Sequence, residues 1–390
     1  MSLVDERLAR LRSQVREWAG DLRAHALELD RDPSVIHRYL SLPAVRFLAT
    51  MGVPRQYHRP DPIGGYVFDG ATALERVIVL EELACADVGM LVASPGPLLA
   101  GVLVQVAGDE RQRAWFYERV LARPLWTCFA LTEPEHGSDA AFLQTSIARQ
   151  PDGAVLVRGA KRYVGNAARA QLAVVFGRTG GSVFGIGAVL LDTSAPGFSA
   201  EVIDTIGLRG AAISAVRLDG VEVPGGQVLG RHLSPSRRGM WAFTRTFNLL
   251  RPGVAAIALG IARAAHEYTL VHLRRPARCL DRDLDDLGRD IDGTRALVHR
   301  AASTVDARPE DGHLASAAKL RAVRLAERAT GVACAALGPG ARFEHPLLDK
   351  MVRDTRGMEF IEGTSNMQRL NLFHSTLAGR LDGAPVTGGG

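Results

Sequence analysis

Hydrophobic residues change their spacing twice along this chain. Near the start, Leu8, Leu11, Val15, Trp18 and Leu22 recur at intervals of three and four, set between Arg10, Arg12, Arg16 and Arg23. That spacing predicts an amphipathic helix with one face on a core. Residues 72–86 and 109–121 repeat the alternation of charged and apolar faces, and Ser94-Pro95-Gly96-Pro97 predicts the start of another helix over 98–107. From about residue 125 to 229 the period becomes that of strands. Segments 126–132, 154–158, 172–176, 187–191 and 216–218 are short and β-rich, with turn clusters such as Pro151-Asp152-Gly153 and Pro224-Gly225-Gly226 between them. Close turns without intervening helices predict a small antiparallel barrel or sandwich rather than a doubly wound sheet. Beyond Gly239, alanine-rich helical runs cover 254–274, 291–305 and 313–337. Small residues let antiparallel helices pack closely, so a four-helix bundle is expected there.

The predicted architecture is an α+β multidomain chain: a helical domain over 1–123, a β-barrel domain over 124–232, a helical bundle over 233–382 and a disordered tail over 383–390. At 390 residues, with 47% apolar and 23% charged content, the chain buries a large core without a metal or disulfide staple. No metal site is expected. Cys85, Cys128, Cys279 and Cys334 are scattered and read as free thiols in a reducing cytoplasm. No apolar run approaches the roughly 18 residues of a membrane span, and the N-terminal pattern is not that of a signal peptide. A cytoplasmic protein without membrane association is expected. The net charge of +5 is carried almost wholly by arginine, with lysine only at Lys161, Lys319 and Lys350. No basic stretch is interleaved with aromatics, which argues against nucleic acid as a partner.

Five motifs then stand in order over about 250 residues. Leu131-Thr132-Glu133-Pro134-Glu135-His136-Gly137-Ser138-Asp139 resembles the TEPxxGSD signature of acyl-CoA dehydrogenases. Lys161-Arg162-Tyr163-Val164-Gly165-Asn166 resembles the family's K-x-W-I-T-N strand. Gly207-Leu208-Arg209-Gly210 with Val221-Glu222-Val223-Pro224, the Arg251-Pro252-Gly253 helix start, and Arg353-Asp354 followed by Glu362-Gly363-Thr364-Ser365 complete the likeness. The resemblance implies the family's helical–β–helical fold, an FAD cofactor and an acyl-thioester substrate carried by CoA or an acyl carrier protein. It implies that Thr132 bonds the pyrimidine side of the flavin and Ser138 its pyrophosphate, with Phe129, Leu131, Gly137, Tyr163 and Gly165 around the ring. Gly363, Thr364 and Gln368 are then cofactor contacts at the adenosine end.

Glu362 ends the apolar run Phe360-Ile361. On spacing alone it reads as a salt-bridged glutamate, with Arg353 or Arg356 as partner. The EGTS match reverses that reading and implies a general base, whose pKa desolvation raises toward working pH. In family terms Glu362 takes the α-proton while hydride leaves the β-carbon for flavin N5. The backbone N–H of Glu362 and a ribityl hydroxyl bond the thioester carbonyl. Arg251 is implied beside the base; Asn248, one turn earlier, is assigned to the pantetheine arm. Ser138 and Gly363 join Asn248, Arg251 and Glu362 as expected substrate contacts.

The sequence departs from the family at several places. Tyr163 and Gly165 stand where Trp and a hydroxyl residue usually flank the flavin. His272-Leu273-Arg274-Arg275-Pro276-Ala277-Arg278 replaces the R-x-x-F-G element, and the usual glutamine of Q-x-L-G-G falls near Ala335. The last two elements are those by which a neighbouring subunit holds FAD. A homodimer or homotetramer is implied, with Arg274, Arg275 or Arg278 as an alternative pyrophosphate contact. Arg231-His232-Leu233-Ser234-Pro235-Ser236-Arg237-Arg238 predicts a basic rim near the mouth of the acyl site, suited to CoA phosphates or an acidic carrier protein. Divergent relatives of this kind oxidise carrier-bound units in polyketide extender biosynthesis, including hydroxyacyl groups. Electron-transferring flavoprotein or oxygen is the implied electron acceptor. Two alternatives stay open: a flavin monooxygenase on the same fold, and a non-redox thioester-binding protein without flavin.

Overall fold

The computed structural model describes residues 5–139, 142–180, 185–234, 237–273, 278–377 and 379. Five α-helices come first: α1 (Glu6–Arg31), α2 (Pro43–Thr50), α3 (Ala73–Ala93), α4 (Leu98–Ala107) and α5 (Glu110–Ala122). Seven strands follow: β1 (Thr127–Ala130), β2 (Ser146–Arg149), β3 (Val155–Val164), β4 (Leu172–Arg178), β5 (Ile186–Asp192), β6 (Phe198–Val202) and β7 (Ser214–Val223). The chain then returns to helix with α6 (Met240–His272), α7 (Arg278–Ala307), α8 (His313–Leu337), α9 (Ala341–Glu344), α10 (Pro346–Met358) and α11 (Ser365–Leu377).

α1 starts at Asp5, whose carboxylate accepts the Leu8 N–H at 2.9 Å and satisfies a donor the first turn leaves free. Its Leu8, Leu11, Val15 and Leu22 are buried, as their spacing predicts. α3 is buried along almost its whole length, because α1, α6 and α7 cover it from different sides. The helix breaks at Asp87, whose backbone is extended; Asp87 Oδ1 accepts the Met90 N–H at 2.7 Å and caps the second half. α6 is long and apolar enough to cross a bilayer, yet 67% of its most apolar stretch is buried inside the protein. It is a core helix, packed on α3, α7 and α8.

The β segment is one curled sheet, in the order β1-β4-β2-β3-β7-β6 with β5 beside β4. It is not wholly antiparallel as expected: β1 runs parallel to β4, and β2 meets β4 in parallel through Ser146 and Arg178. The other pairings are antiparallel. β4 and β5 are buried on both faces, as a strand wrapped into the centre of a curled sheet must be. β3 shifts register between Lys161 and Val164. At that irregularity Tyr163 takes left-handed backbone (φ 61°) and its ring is exposed; Asn166, just past the strand, is left-handed too (φ 61°). Sheet and helices join through the 207–212 turn. Gly207 lies against the Arg353 carbonyl, where a Cβ would collide with backbone, and the Leu208 N–H bonds Asp354 Oδ1 at 2.6 Å.

Candidate active site

Two loops of the sheet meet where the flavin signature stands. The Thr132 carbonyl accepts the Arg162 N–H at 2.8 Å, so residues 132–139 lie beside the end of β3. The joint is braced from beneath by a buried pair: Lys161 Nζ donates to Glu133 Oε1 and to the Leu131 carbonyl, both at 2.9 Å. The Glu133 carboxylate also accepts the backbone N–H groups of Gln144 and Thr145. Burial pulls the Lys161 pKa down to about 8, with Glu133 opposing. Above this brace, Thr132 is half-buried and Gly137 and Ser138 are exposed. Gly165 has open space where a side chain would point, its nearest neighbour being the Ala211 carbonyl at 4.0 Å. An exposed aromatic ring, two uncrowded glycines and the exposed Ser138 hydroxyl suit a flat polar ring system with phosphates. The residues present therefore fit FAD. Phe129 packs into a cluster with Phe176 (5.0 Å) and Phe247 (5.8 Å), which joins β1 to α6.

Arg251 continues that cluster, its guanidinium 5.7 Å from the Phe247 ring centre. One of its nitrogens donates to Asn248 Oδ1 at 3.0 Å, while its Nε is buried without a partner. Asn248 differs from the expectation of a pantetheine contact. Its amide donates to the Pro309 carbonyl at 3.1 Å and to that of Glu310 at 3.4 Å, and its oxygen holds Arg251. The side chain is buried as a bracket between α6 and the α7–α8 loop.

Glu362 sits on the tight turn between α10 and α11. Its backbone is left-handed (φ 54°), and so is that of Gly363 (φ 94°), where only glycine is unstrained. Glu362 makes no ion pair among the described residues. Arg353 pairs instead with Asp30 and Asp349, and Arg356 with Glu327. The residue is partly accessible as a whole, but Oε2 is buried and without a hydrogen-bond partner. Burial pushes its pKa up to about 7, opposed by the charges of Arg251, Lys319 and Arg76. Among the described residues the Glu362 backbone N–H has no main-chain partner.

Three side chains close the turn. Gln368, fully buried, donates to the carbonyls of Glu362 (3.2 Å) and Gly363 (2.9 Å). Its NH2 group is thus used within the protein rather than on a cofactor, while its Oε1 has no partner. Glu359 grips the Ser365 N–H at 2.7 Å and the Ser365 hydroxyl at 2.6 Å. Lys319, from α8, donates to the carbonyls of Glu359 (3.2 Å) and Gly363. Thr364 Oγ1 faces the Met367 N–H at 3.5 Å and starts α11. Sequence reasoning missed Lys319 and Arg76; both lie in helices far from any motif. Arg76 is one of many arginines and carries no signal of its own, whereas Lys319 is marked by the rarity of lysine in an arginine-rich chain. Arg274, Arg275, the Arg278 side chain and the tail 383–390 lie outside the described residues.

A cleft of about 520 Å³ opens along α6, lined by Gln105, Leu233, Arg237, Trp241, Arg245 and Leu249. Leu249, in its wall, accepts a bond from Arg76 through its carbonyl at 3.2 Å. Roughly 30 Å further along α6, at 1.5 Å per residue, Tyr268 bonds His345 at 2.9 Å and stacks on His272. His272 opens the segment that stands where the family has R-x-x-F-G; residues 274–277 of that segment lie outside the described residues.

The family models described as acyl-CoA dehydrogenase middle domain and C-terminal domain match residues 128–221 and 237–377. A probable acyl-CoA dehydrogenase, YngJ of Bacillus subtilis, is 30% identical over 85% of this chain and 87% of its own length. The chain belongs to the acyl-CoA dehydrogenase family. Family membership makes it an FAD-dependent oxidoreductase of acyl thioesters, acting on a CH–CH group. The butyryl-CoA dehydrogenase structure from Megasphaera elsdenii is similar with a TM-score of 0.81 at 25% identity, covering 97% of this chain and 99% of that one. The prolyl acyl carrier protein oxidase AnaB shares the fold with a TM-score of 0.81 at 19% identity, over 95% of this chain and 99% of its own.

Proposed function

We propose that Glu362 is the base of this acyl-thioester dehydrogenation. The observation that carries the reading is a buried carboxylate oxygen with no partner, its pKa pushed up to about 7 by burial against the charges of Arg251, Lys319 and Arg76. A structural glutamate at such a depth is paired; one left unpaired is free to accept a proton. A pKa near the working pH suits a general base, since much of it is deprotonated and still basic. The C–H bond at the α-carbon breaks and its proton goes to Glu362. The electron pair forms the α,β double bond as hydride leaves the β-carbon. When bound, FAD supplies the two-electron acceptor for that hydride. The free N–H of Glu362 is the chain's own candidate donor to the thioester oxygen, where negative charge develops. Thr132, Ser138, Tyr163 and Gly165 are the residues that would hold the ring system and pyrophosphate of FAD. Arg251 holds positive charge near the base, oriented by Asn248.

The test is anaerobic flavin reduction by substrate in the holoenzyme. Glu362→Gln is expected to slow it by about 10²–10⁴-fold, the usual range for a positioned acid or base. A wild-type rate overturns the assignment.

The cleft supports a finer reading, in which the acyl group arrives on a phosphopantetheine arm and a carrier protein presents it. Trp241 and Leu249 offer an apolar wall, while Arg237 and Arg245 offer positive charge at the rim. Arg231 donates to the Gly225 carbonyl, and Arg238 to the carbonyls of Leu233 and Arg231. An acidic carrier surface complements the basic rim. Flavin bleaching by the same acyl group on CoA and on a carrier protein separates the two. Faster bleaching by the carrier thioester, lost in Arg237→Glu, supports the carrier reading; equal rates unaffected by Arg237→Glu count against it.

A further inference from the structure

We propose that Lys319 is a positioning residue for Glu362, holding the base-bearing turn from both sides and bringing its ammonium charge to bear on the carboxylate. The inference rests on the reading of Glu362 as the base. Its ammonium, buried on α8, donates to the Glu359 carbonyl before Glu362 and to the Gly363 carbonyl after it. Those two bonds span the segment in which Glu362 holds left-handed backbone, strained for any residue but glycine. Gln368 holds the Glu362 and Gly363 carbonyls from α11, and Glu359 holds Ser365. Of the two clamps that grip the carbonyls around Glu362, Lys319 is the one that also brings positive charge.

The choice of lysine is informative in this chain. Lys and Arg total 47, and only Lys161, Lys319 and Lys350 are lysine; all three are buried. An ammonium is a compact point charge whose donors rotate onto two close acceptors, whereas a guanidinium is a broad planar fork. Charged groups bear on Glu362 from three elements: Arg76 on α3, Arg251 on α6 and Lys319 on α8. Arg251 is oriented by Asn248 and Arg76 by the carbonyls of Gly70, Ala71 and Leu249. Lys319 is the cation bonded to the turn itself. Glu359 and Glu362 face it with negative charge, and Arg251 with positive.

The experiment uses holoenzyme and follows the pH dependence of flavin reduction, with thermal unfolding recorded alongside. Removing the charge raises the pKa of the base, so the acid limb of the profile moves to higher pH. Lys319→Met is expected to move that limb up by at least half a pH unit and to lower kcat at least tenfold, with KM changed less than threefold. A variant that lowers Tm but keeps the limb and rate of wild type overturns the proposal. Where Lys319→Met fails to fold, Lys319→Gln, which keeps a donor without charge, is expected to shift the limb in the same way; an unmoved limb again overturns it. Lys319→Arg keeps the limb and loses rate, because the fork does not meet both carbonyls; full wild-type rate counts against positioning. Glu362→Gln is run in parallel. If it retains wild-type activity, the base assignment has failed; if it is inactive while Lys319→Met behaves as wild type, only the present inference has.

Discussion

Lys319 and Lys350 are both buried and lie on the packed helices α8 and α10, yet their pKa values move in opposite directions. Lys350 Nζ meets Asp87 at 2.6 Å and Asp354 at 2.7 Å. Burial alone would lower its pKa, but the two carboxylates outweigh that and raise it. Asp87 caps the broken α3 and Asp354 holds the 207–212 turn, so a closed network fixes three parts of the fold at one point. Lys319 has carbonyls for direct partners, and burial lowers its pKa to about 8, opposed by Glu362 and Glu359. The nearby Glu362 carboxylate is not bonded to it. Saturated charge locks structure, whereas the site keeps its charges close and unsaturated, with Glu362 Oε2 and Arg251 Nε both lacking partners.

The largest stability effect is expected from Lys350→Met. Breaking a buried ion network by removing one partner costs about 3–5 kcal/mol, measured by urea unfolding, with no shift in the pH profile of flavin reduction in protein that folds. An altered profile would erase the distinction between the two lysines. Glu362→Gln should act in the opposite direction. A carboxyl whose pKa is raised by burial contributes stability in full below its unfolded pKa and loses it as pH rises through about 7. The glutamine variant is therefore expected to be more stable than wild type by on the order of 1–3 kcal/mol at about pH 8. That margin should narrow toward about pH 5. A constant margin would mean that the carboxylate is not desolvated. Gly165→Ser should change stability by less than about 0.5 kcal/mol, since space lies open around that position. A larger loss in unfolding experiments would show that the surface beside Tyr163 is more crowded than its geometry implies.

The three-part fold was legible because the hydrophobic period changes from helical to strand-like and back. β2 and β6 escaped notice because their residues are mostly exposed, with one buried position in β2 and none in β6. α10 was hidden for the opposite reason: Lys350 and Asp354 point inward, so charge occupies core positions. The motifs located Glu362 and the 132–139 loop, but no spacing rule could report which amides are already used. Asn248 and Gln368 look like ligand contacts in sequence and are spent largely on backbone carbonyls. Parallel pairing of β1 with β4 likewise depends on where the chain returns after the 131–145 loop, which local periodicity does not encode.

The left-handed backbone at Glu362 has a consequence for protein engineering. A side chain there bears a conformational penalty of about 1–2 kcal/mol, and the carboxylate adds its own desolvation cost. Glu362→Gly relieves both at once. A library ranked only by resistance to heat will therefore be enriched for proteins that have lost the carboxylate proposed as the base, so heat-selected variants need an activity counter-screen.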